Sequence, residues 1–266
     1  MGKSRIFLAA AALCCLLTVS CGPAEPFTKV VAHRGYWKAE GAAQNSLSSL
    51  RAAGELGVYG SEFDVNMTSD GVLVVNHDFT IQGYNIHETP YDTLKDLVLS
   101  NGETLPTFEQ YLEAALEYPS LKLVFEVKSA GDSLYEARYL PPAVETLRKY
   151  GVLERTEFIS FSLSACRALA RMCPDNIVEY LGGTLSPSEL LPMGIRGIDY
   201  HFSVFDKHPE WVSEAHGLGM ICNAWTVDKE EDINRMLSLG VDFITTNNPR
   251  EVDSLRRVFI PEDPRE

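Results

Sequence analysis

From residue 29 onward, short runs rich in Val, Ile, Leu and Phe alternate with longer stretches in which apolar residues return every three or four positions. The first pattern is that of a buried strand and the second that of an amphipathic helix. The reading predicts extended segments at 29–35, 62–67, 72–76, 121–127, 157–161, 177–181, 197–201, 220–227 and 243–246. Helices are predicted at 46–57, 107–115, 142–150, 164–172, 186–192, 210–216 and 230–239. In the first helix Leu47, Leu50, Ala53 and Leu56 share one face, and Thr107 is a natural N-cap for the second. Asp70-Gly71 marks a turn, and a polar excursion fills 79–103.

Strands separated by helices pair in parallel, because each crossover needs a helix-length connection. About eight such units in a chain of this size predict a single-domain α/β (β/α)8 barrel spanning 29–260. The alternative is a doubly wound open sheet. No Gly-x-Gly-x-x-Gly follows the first strand, which weighs against a dinucleotide-binding version of it.

The first residues carry a different signal. Lys3 and Arg5 precede an apolar run at 6–19, too short to span a bilayer and typical of an export leader. It ends in Thr18-Val19-Ser20-Cys21-Gly22, which resembles a bacterial lipoprotein cleavage site. On that reading residues 1–21 are signal peptide and lipobox, Cys21 is lipidated, and 22–28 form a tether. An ordinary secretory leader cut near Cys21 is the alternative. The expected location is the bacterial cell envelope, with membrane contact only through the lipid anchor. Cys166, Cys173 and Cys222 then remain for the domain, without zinc-type Cys-x-x-Cys spacing, and are read as buried free thiols. A formal net charge of -14 disfavours nucleic acid as a partner but leaves a small anionic substrate open, since local cations decide that binding.

Reactive side chains gather where the apolar runs stop. His33-Arg34-Gly35 ends the first, Glu62 and Asp64 lie two apart on the second, and His77-Asp78 follows the third. Glu126 and Lys128 repeat the two-residue spacing, which places both side chains on one face of a strand. In a barrel such positions meet at the C-terminal mouth. Three carboxylates there repel unless protonated or bound to a cation, and an all-oxygen set suits Mg²⁺ or Ca²⁺ better than zinc. His33 and His77 are candidates for an acid–base pair, and Arg34 and Lys128 for phosphate contacts. His87, His201, His208 and His216 are read as structural.

These motifs, in this order, resemble the glycerophosphodiester phosphodiesterase family. The likeness rests on His33-Arg34-Gly35, Gln44-Asn45-Ser46, Glu62-x-Asp64, Thr68-x-Asp70-Gly71 and His77-Asp78. It continues through Leu105-Pro106-Thr107-Phe108, Glu126-Val127-Lys128, Ala224-Trp225-Thr226-Val227 and Leu239-Gly240-Val241-Asp242. The resemblance implies a (β/α)8 barrel, one divalent cation and hydrolysis of glycerophosphodiesters to glycerol 3-phosphate and an alcohol. It implies Glu62, Asp64 and Glu126 as metal ligands, and His33 and His77 as catalytic acid and base. It also implies Arg34 and Lys128 as phosphate contacts and Trp225 as a wall of the glycerol pocket; the other reading of Trp225 is a core residue. Two departures stand out: Gln44 replaces the family's usual glutamate, and Asn247-Asn248 precedes Pro249 where an aspartate is more usual. The competing functions are a phospholipase of the sphingomyelinase D or phosphoinositide-cleaving type, and a lipid-anchored binding protein without turnover. Oligomeric state is not legible in the chain.

Overall fold

A closed ring of eight parallel strands forms the centre of the computed structural model, which describes residues 28–129 and 132–259. The strands are β1 (Lys29–Ala32), β2 (Gly60–Met67), β3 (Lys122–Val127), β4 (Thr156–Ser160), β5 (Val178–Tyr180), β6 (Gly197–His201), β7 (Ile221–Trp225) and β8 (Phe243–Thr246). Each pairs with the next in chain order. β1 closes the ring by pairing with both β8 and β2. The open-sheet alternative is thereby excluded. The segment expected at 72–76 is a strand, Leu73–Val75, that pairs antiparallel with the end of β2 outside the ring.

The two faces of each strand have separate fates. Val31, Val124, Ile159, Leu181 and Phe243 come from strands around the whole ring, yet pack together in one cluster. That is possible only in the barrel interior. Their neighbours in sequence, among them Val30, Phe125, Phe158, Tyr180 and Ile244, belong to the larger core under the helices. Glu62, Asp64, Glu126, Glu157, Glu179 and Asp199 share the interior parity, so the barrel carries carboxyls in its lumen.

Most expected helices form close to the expected places. Ser46 caps Leu47–Leu56 and Gly57 ends it in the left-handed conformation. Thr107 makes a capping box with Gln110 at the start of Phe108–Ala115. Three expectations need correction. The helix read at 142–150 runs Ser133–Lys149 with Pro141 and Pro142 inside it, because Tyr139, Leu140, Ala143, Val144 and Leu147 supply a continuous buried face that outweighs the proline penalty. The strand read at 29–35 stops at Ala32, because Arg34 and Gly35 turn with positive φ. The excursion at 79–103 is not uniformly polar: Ile81, Ile86 and Leu94 pack with Val74 and Leu105 in a small core of their own. Among the described residues three α-helices carried no sequence expectation: the short Tyr91–Leu94, Phe202–Lys207 and the strongly charged Pro249–Val258.

Cys166, Cys173 and Cys222 are free and buried. The leader with Cys21, and the tether apart from Thr28, lie outside the described residues.

Candidate active site

The tight turn after β1 sets the geometry. Arg34 has φ of 56° and Gly35 of 73°. The Gly35 N–H donates to the carbonyls of Ala32 and Glu62, the latter at 3.0 Å. A non-glycine residue in this region costs about 1–2 kcal/mol. Three bonds hold Arg34 there: its N–H donates to Glu62 Oε2 at 2.7 Å, and its carbonyl accepts from Asn45 N–H and Ser49 Oγ, both at 3.1 Å. Its guanidinium then reaches Gln44 Oε1 at 2.6 Å and lies 3.8 Å from Asp64 Oδ2. Gln44 therefore keeps the contact with Arg34, as a neutral acceptor.

Strand register does the rest. Asp64 of β2 stands directly beside Glu126 of β3. Lys128, just past β3, places its ammonium 3.1 Å from Asp64 Oδ1 and 2.8 Å from Glu126 Oε1. Oxygens of Glu62, Asp64 and Glu126 all lie within 4.8 Å of one another. Burial, then repulsion from Asp64 and Glu126, drives the Glu62 carboxyl well above the usual carboxylate range. Burial and Asp64 likewise push Glu126 up to about 7. Burial works against the Asp64 carboxylate too, but Lys128, His77, Asn45 and Arg34 outweigh it and hold it below the ordinary value. Burial opposes the Lys128 ammonium as well, and Asp64 and Glu126 more than compensate.

This trio fits a divalent cation. Its donors are all hard oxygens, and Glu62 Oε1 is buried with no hydrogen-bond partner among the described residues. A cation there would replace the protons that the crowded carboxylates otherwise retain.

Both expected histidines face the same cavity of about 130 Å³. His33 Nδ1 lies 2.9 Å from Asn247 Oδ1. That amide is oriented by Asp228, whose Oδ2 accepts from Asn247 Nδ2 at 2.7 Å, so Asn247 presents an oxygen to His33. His33 therefore carries its proton on Nδ1 and turns a bare Nε2 inward, 3.9 Å from Glu62 Oε2. Burial, with Arg34 beside it, lowers the His33 pKa to about 4. The ring is neutral at neutral pH. His77, more exposed, donates from Nδ1 to Asp78 Oδ1 at 2.6 Å and is also held below its ordinary pKa, mainly by burial. Its loop is tied down by the Asn76 N–H, which donates to the Asp64 carbonyl at 2.9 Å.

The opposite wall comes from β4 to β7 and is largely apolar: Ile159, Phe161, Leu181 and Trp225 line it, with Asp199 among them. Trp225 is half-buried, set edge-on to Phe161, and donates its indole N–H to the Asp199 carbonyl at 2.9 Å. It is a cavity wall, not a core residue. His33, Arg34, Glu62, His77, Glu126 and Trp225 all line this cavity; Asp64 and Lys128 stand behind Glu126 and Arg34.

Sequence reasoning missed three contributors. Asn45, with φ of 59°, donates to Asp64 Oδ2 at 2.8 Å and accepts the Asp64 N–H. It stood within the Gln44-Asn45-Ser46 motif without an assigned role, and the tolerance of Asn for the left-handed region was its one physical signal. Asn247 was noted only as a departure, and Asp199 had only its parity within β6. The other histidines pair elsewhere: His87 with Asn66, His201 with Ser203, His208 with Glu210 and His216 with Asp242.

A parallel barrel with acids, bases and cations converging at the C-terminal ends of its strands defines an enzyme that acts on a small anionic substrate. The model of the glycerophosphoryl diester phosphodiesterase family matches residues 33–251, and the chain belongs to that family. It is 30% identical over 244 residues to a glycerophosphodiester phosphodiesterase of Caldanaerobacter subterraneus, covering 86% of this chain and 98% of that one. A crystal structure of a glycerophosphodiester phosphodiesterase from Parabacteroides distasonis shares 48% identity and a TM-score of 0.86, over 87% of this chain and 98% of the other. A phosphodiesterase of Oleispira antarctica, solved with the product sn-glycerol-3-phosphate, shares 25% identity and a TM-score of 0.73, over 86% and 96%.

Proposed function

We propose that this protein hydrolyses glycerophosphodiesters to sn-glycerol 3-phosphate and an alcohol, using one divalent cation, Mg²⁺ or Ca²⁺, and the histidine pair. The observation that supports this most is the gathering of Glu62, Glu126, His33, His77 and Arg34 on a single cavity, with Asp64 and Lys128 against it. Glu62, Asp64 and Glu126 would hold the cation, which supplies Lewis-acid polarisation of a phosphoryl oxygen. Arg34 and Lys128 offset charge on the phosphoryl oxygens. His33, neutral and with Nε2 bare, accepts the proton of the attacking hydroxyl. His77, in the imidazolium form that Asp78 behind Nδ1 stabilises and burial opposes, delivers a proton from Nε2 to the departing alkoxide. Trp225 and Phe161 shape the side of the cavity that receives the glycerol carbons.

The test is incubation of the leaderless protein with glycerophosphocholine and glycerophosphoethanolamine, with intact phospholipid as a third substrate. Glycerol 3-phosphate release is expected, ceasing with chelator and returning with Mg²⁺ or Ca²⁺. Cleavage of phospholipid alone, or binding without product, overturns the proposal. The cation requirement also has a pH signature. A carboxyl with a raised pKa binds a proton below that pKa and must lose it to ligate, so protons compete with the cation. With Glu126 near 7 and Glu62 well above its ordinary value, the cation concentration for half-maximal activity should fall as pH rises through about 7. A requirement independent of pH between 6 and 8 contradicts this.

The chain is also proposed to be an exported lipoprotein anchored through Cys21. Expressed with its leader, it should fractionate with membranes, and Cys21→Ser should move it to the soluble fraction; no change on substitution defeats the anchor.

A further inference from the structure

The cavity has two unlike walls, and the second holds a carboxyl that the chemistry above does not use. Asp199 points from the interior face of β6 into the apolar wall between Leu181 and Trp225. The residue is 1% exposed, and its Oδ1 has no hydrogen-bond partner among the described residues. Of the other polar groups on the cavity, His33 pairs with Asn247, His77 with Asp78, Glu126 with Lys128, Thr245 with Asn223 and the Arg34 guanidinium with Gln44; Arg34 Nε is itself unpartnered but belongs to the phosphate-contact group. Glu62 Oε1 is also unpartnered, but it belongs to the carboxylate trio, of which Asp199 is not a member.

A buried carboxyl left without a partner is costly, and a cavity wall that keeps one is shaped for a ligand that completes it. Burial comes first in raising the Asp199 pKa well above the carboxylate range, and the charges that reach it, Glu126 and Glu157, are negative. Both effects favour the protonated form, which offers one O–H donor and one C=O acceptor. A hydroxyl, itself donor and acceptor, matches it. The apolar surfaces of Leu181, Ile159 and Trp225 around it match C–H faces. Trp225 is locked in place by its bond to the Asp199 carbonyl, so wall and carboxyl are one rigid unit.

We infer that Asp199 is a specificity-determining residue that binds a glycerol hydroxyl of the substrate, so that the apolar wall selects a polyol phosphodiester over a diester without that hydroxyl. This rests on the glycerophosphodiesterase reading, and its test separates the two. The activities compared are those on glycerophosphoethanolamine, on its analogue lacking one glycerol hydroxyl, and on bis(4-nitrophenyl) phosphate, which has no glycerol. Asp199→Ala should lower kcat/KM on the glycerol substrate about 10- to 100-fold and change the nitrophenyl diester by less than about twofold. Asp199→Asn, which keeps a donor and an acceptor in the same place, should restore most of the loss. Removing the substrate hydroxyl should cost the wild type a similar factor and cost Asp199→Ala little more, since both changes delete one contact. Equal loss on both diesters, or additive losses in the pair, overturns the inference. Should Asp199→Ala not fold, the Asn variant and the hydroxyl-deleted substrate still decide it: an undiminished wild-type rate on that substrate overturns it. If the wild type cleaves the nitrophenyl diester but no glycerophosphodiester, it is the broader reading that fails.

Discussion

Alanine at His33 or at His77 is expected to lower turnover on glycerophosphoethanolamine about 10²–10⁴-fold while leaving the fold intact. The two losses should differ in kind. His33 is largely enclosed and its pKa is lowered to about 4, so it stays neutral across the working range with Nε2 free to take a proton. A base is needed whatever the leaving group, so His33→Ala should be impaired on every diester. His77 is more open and backed by the Asp78 carboxylate, an arrangement suited to a proton donor. A donor matters only when the departing alkoxide is strongly basic. His77→Ala should therefore recover most of its activity on a 4-nitrophenyl ester, whose leaving group departs without protonation. Steady-state kinetics on the two substrates, with circular dichroism as the check on folding, measure this. A loss below about threefold for both variants removes the histidines from the mechanism, and identical substrate dependence removes the assignment of roles.

Gly35→Ala is the second large effect. A Cβ there would sit 2.4 Å from Ser49 Oγ and 2.7 Å from the Ser49 backbone carbonyl carbon, at a φ that side chains rarely adopt. Backbone strain of about 1–2 kcal/mol adds to an overpacking cost of about 1–3 kcal/mol, since the obstacle is the helix itself. The predicted destabilisation is about 2–5 kcal/mol by urea titration. Activity should fall as well, because the Gly35 N–H bonds to Ala32 and Glu62 set the turn that aims His33 and seats the Arg34 N–H on Glu62. Gly41→Ala provides the control: it has a similar φ of 76° but nothing within 4 Å of a new Cβ. It should show only the backbone strain. Equal effects at the two glycines would mean that the close approach to the helix carries no weight.

The site was legible wherever one strand carried its own evidence. Glu62 and Asp64 could be placed together because a period of two puts alternate residues on one face, and Glu126 and Lys128 for the same reason. What those pairs do to each other was not legible. Asp64 meets Glu126 only through the register of β2 on β3, and burial together with that contact pushes Glu126 up while Asp64 is held below its ordinary value. Helix 142–150 was misjudged because proline is a local signal, whereas the buried face that overrides it is a tertiary one.

Asn247 shows the limit most clearly. It lies 214 positions from His33 and becomes its partner only when β8 pairs with β1 and the ring closes. Asp199 likewise had no neighbour in sequence to mark it, and became part of the site because β6 stands across the lumen from the acidic wall. By itself, the sequence determined the order of strands and helices, which residues share a strand face, and the chemical kinds of side chain at the strand ends. Those properties follow from periods of two and 3.6 and from local turn chemistry. Only the tertiary structure decided the tautomer of His33, which carboxyls have their pKa raised and which lowered, and which wall Asp199 completes. These depend on burial and on charges brought within a few ångströms by strands far apart in the chain.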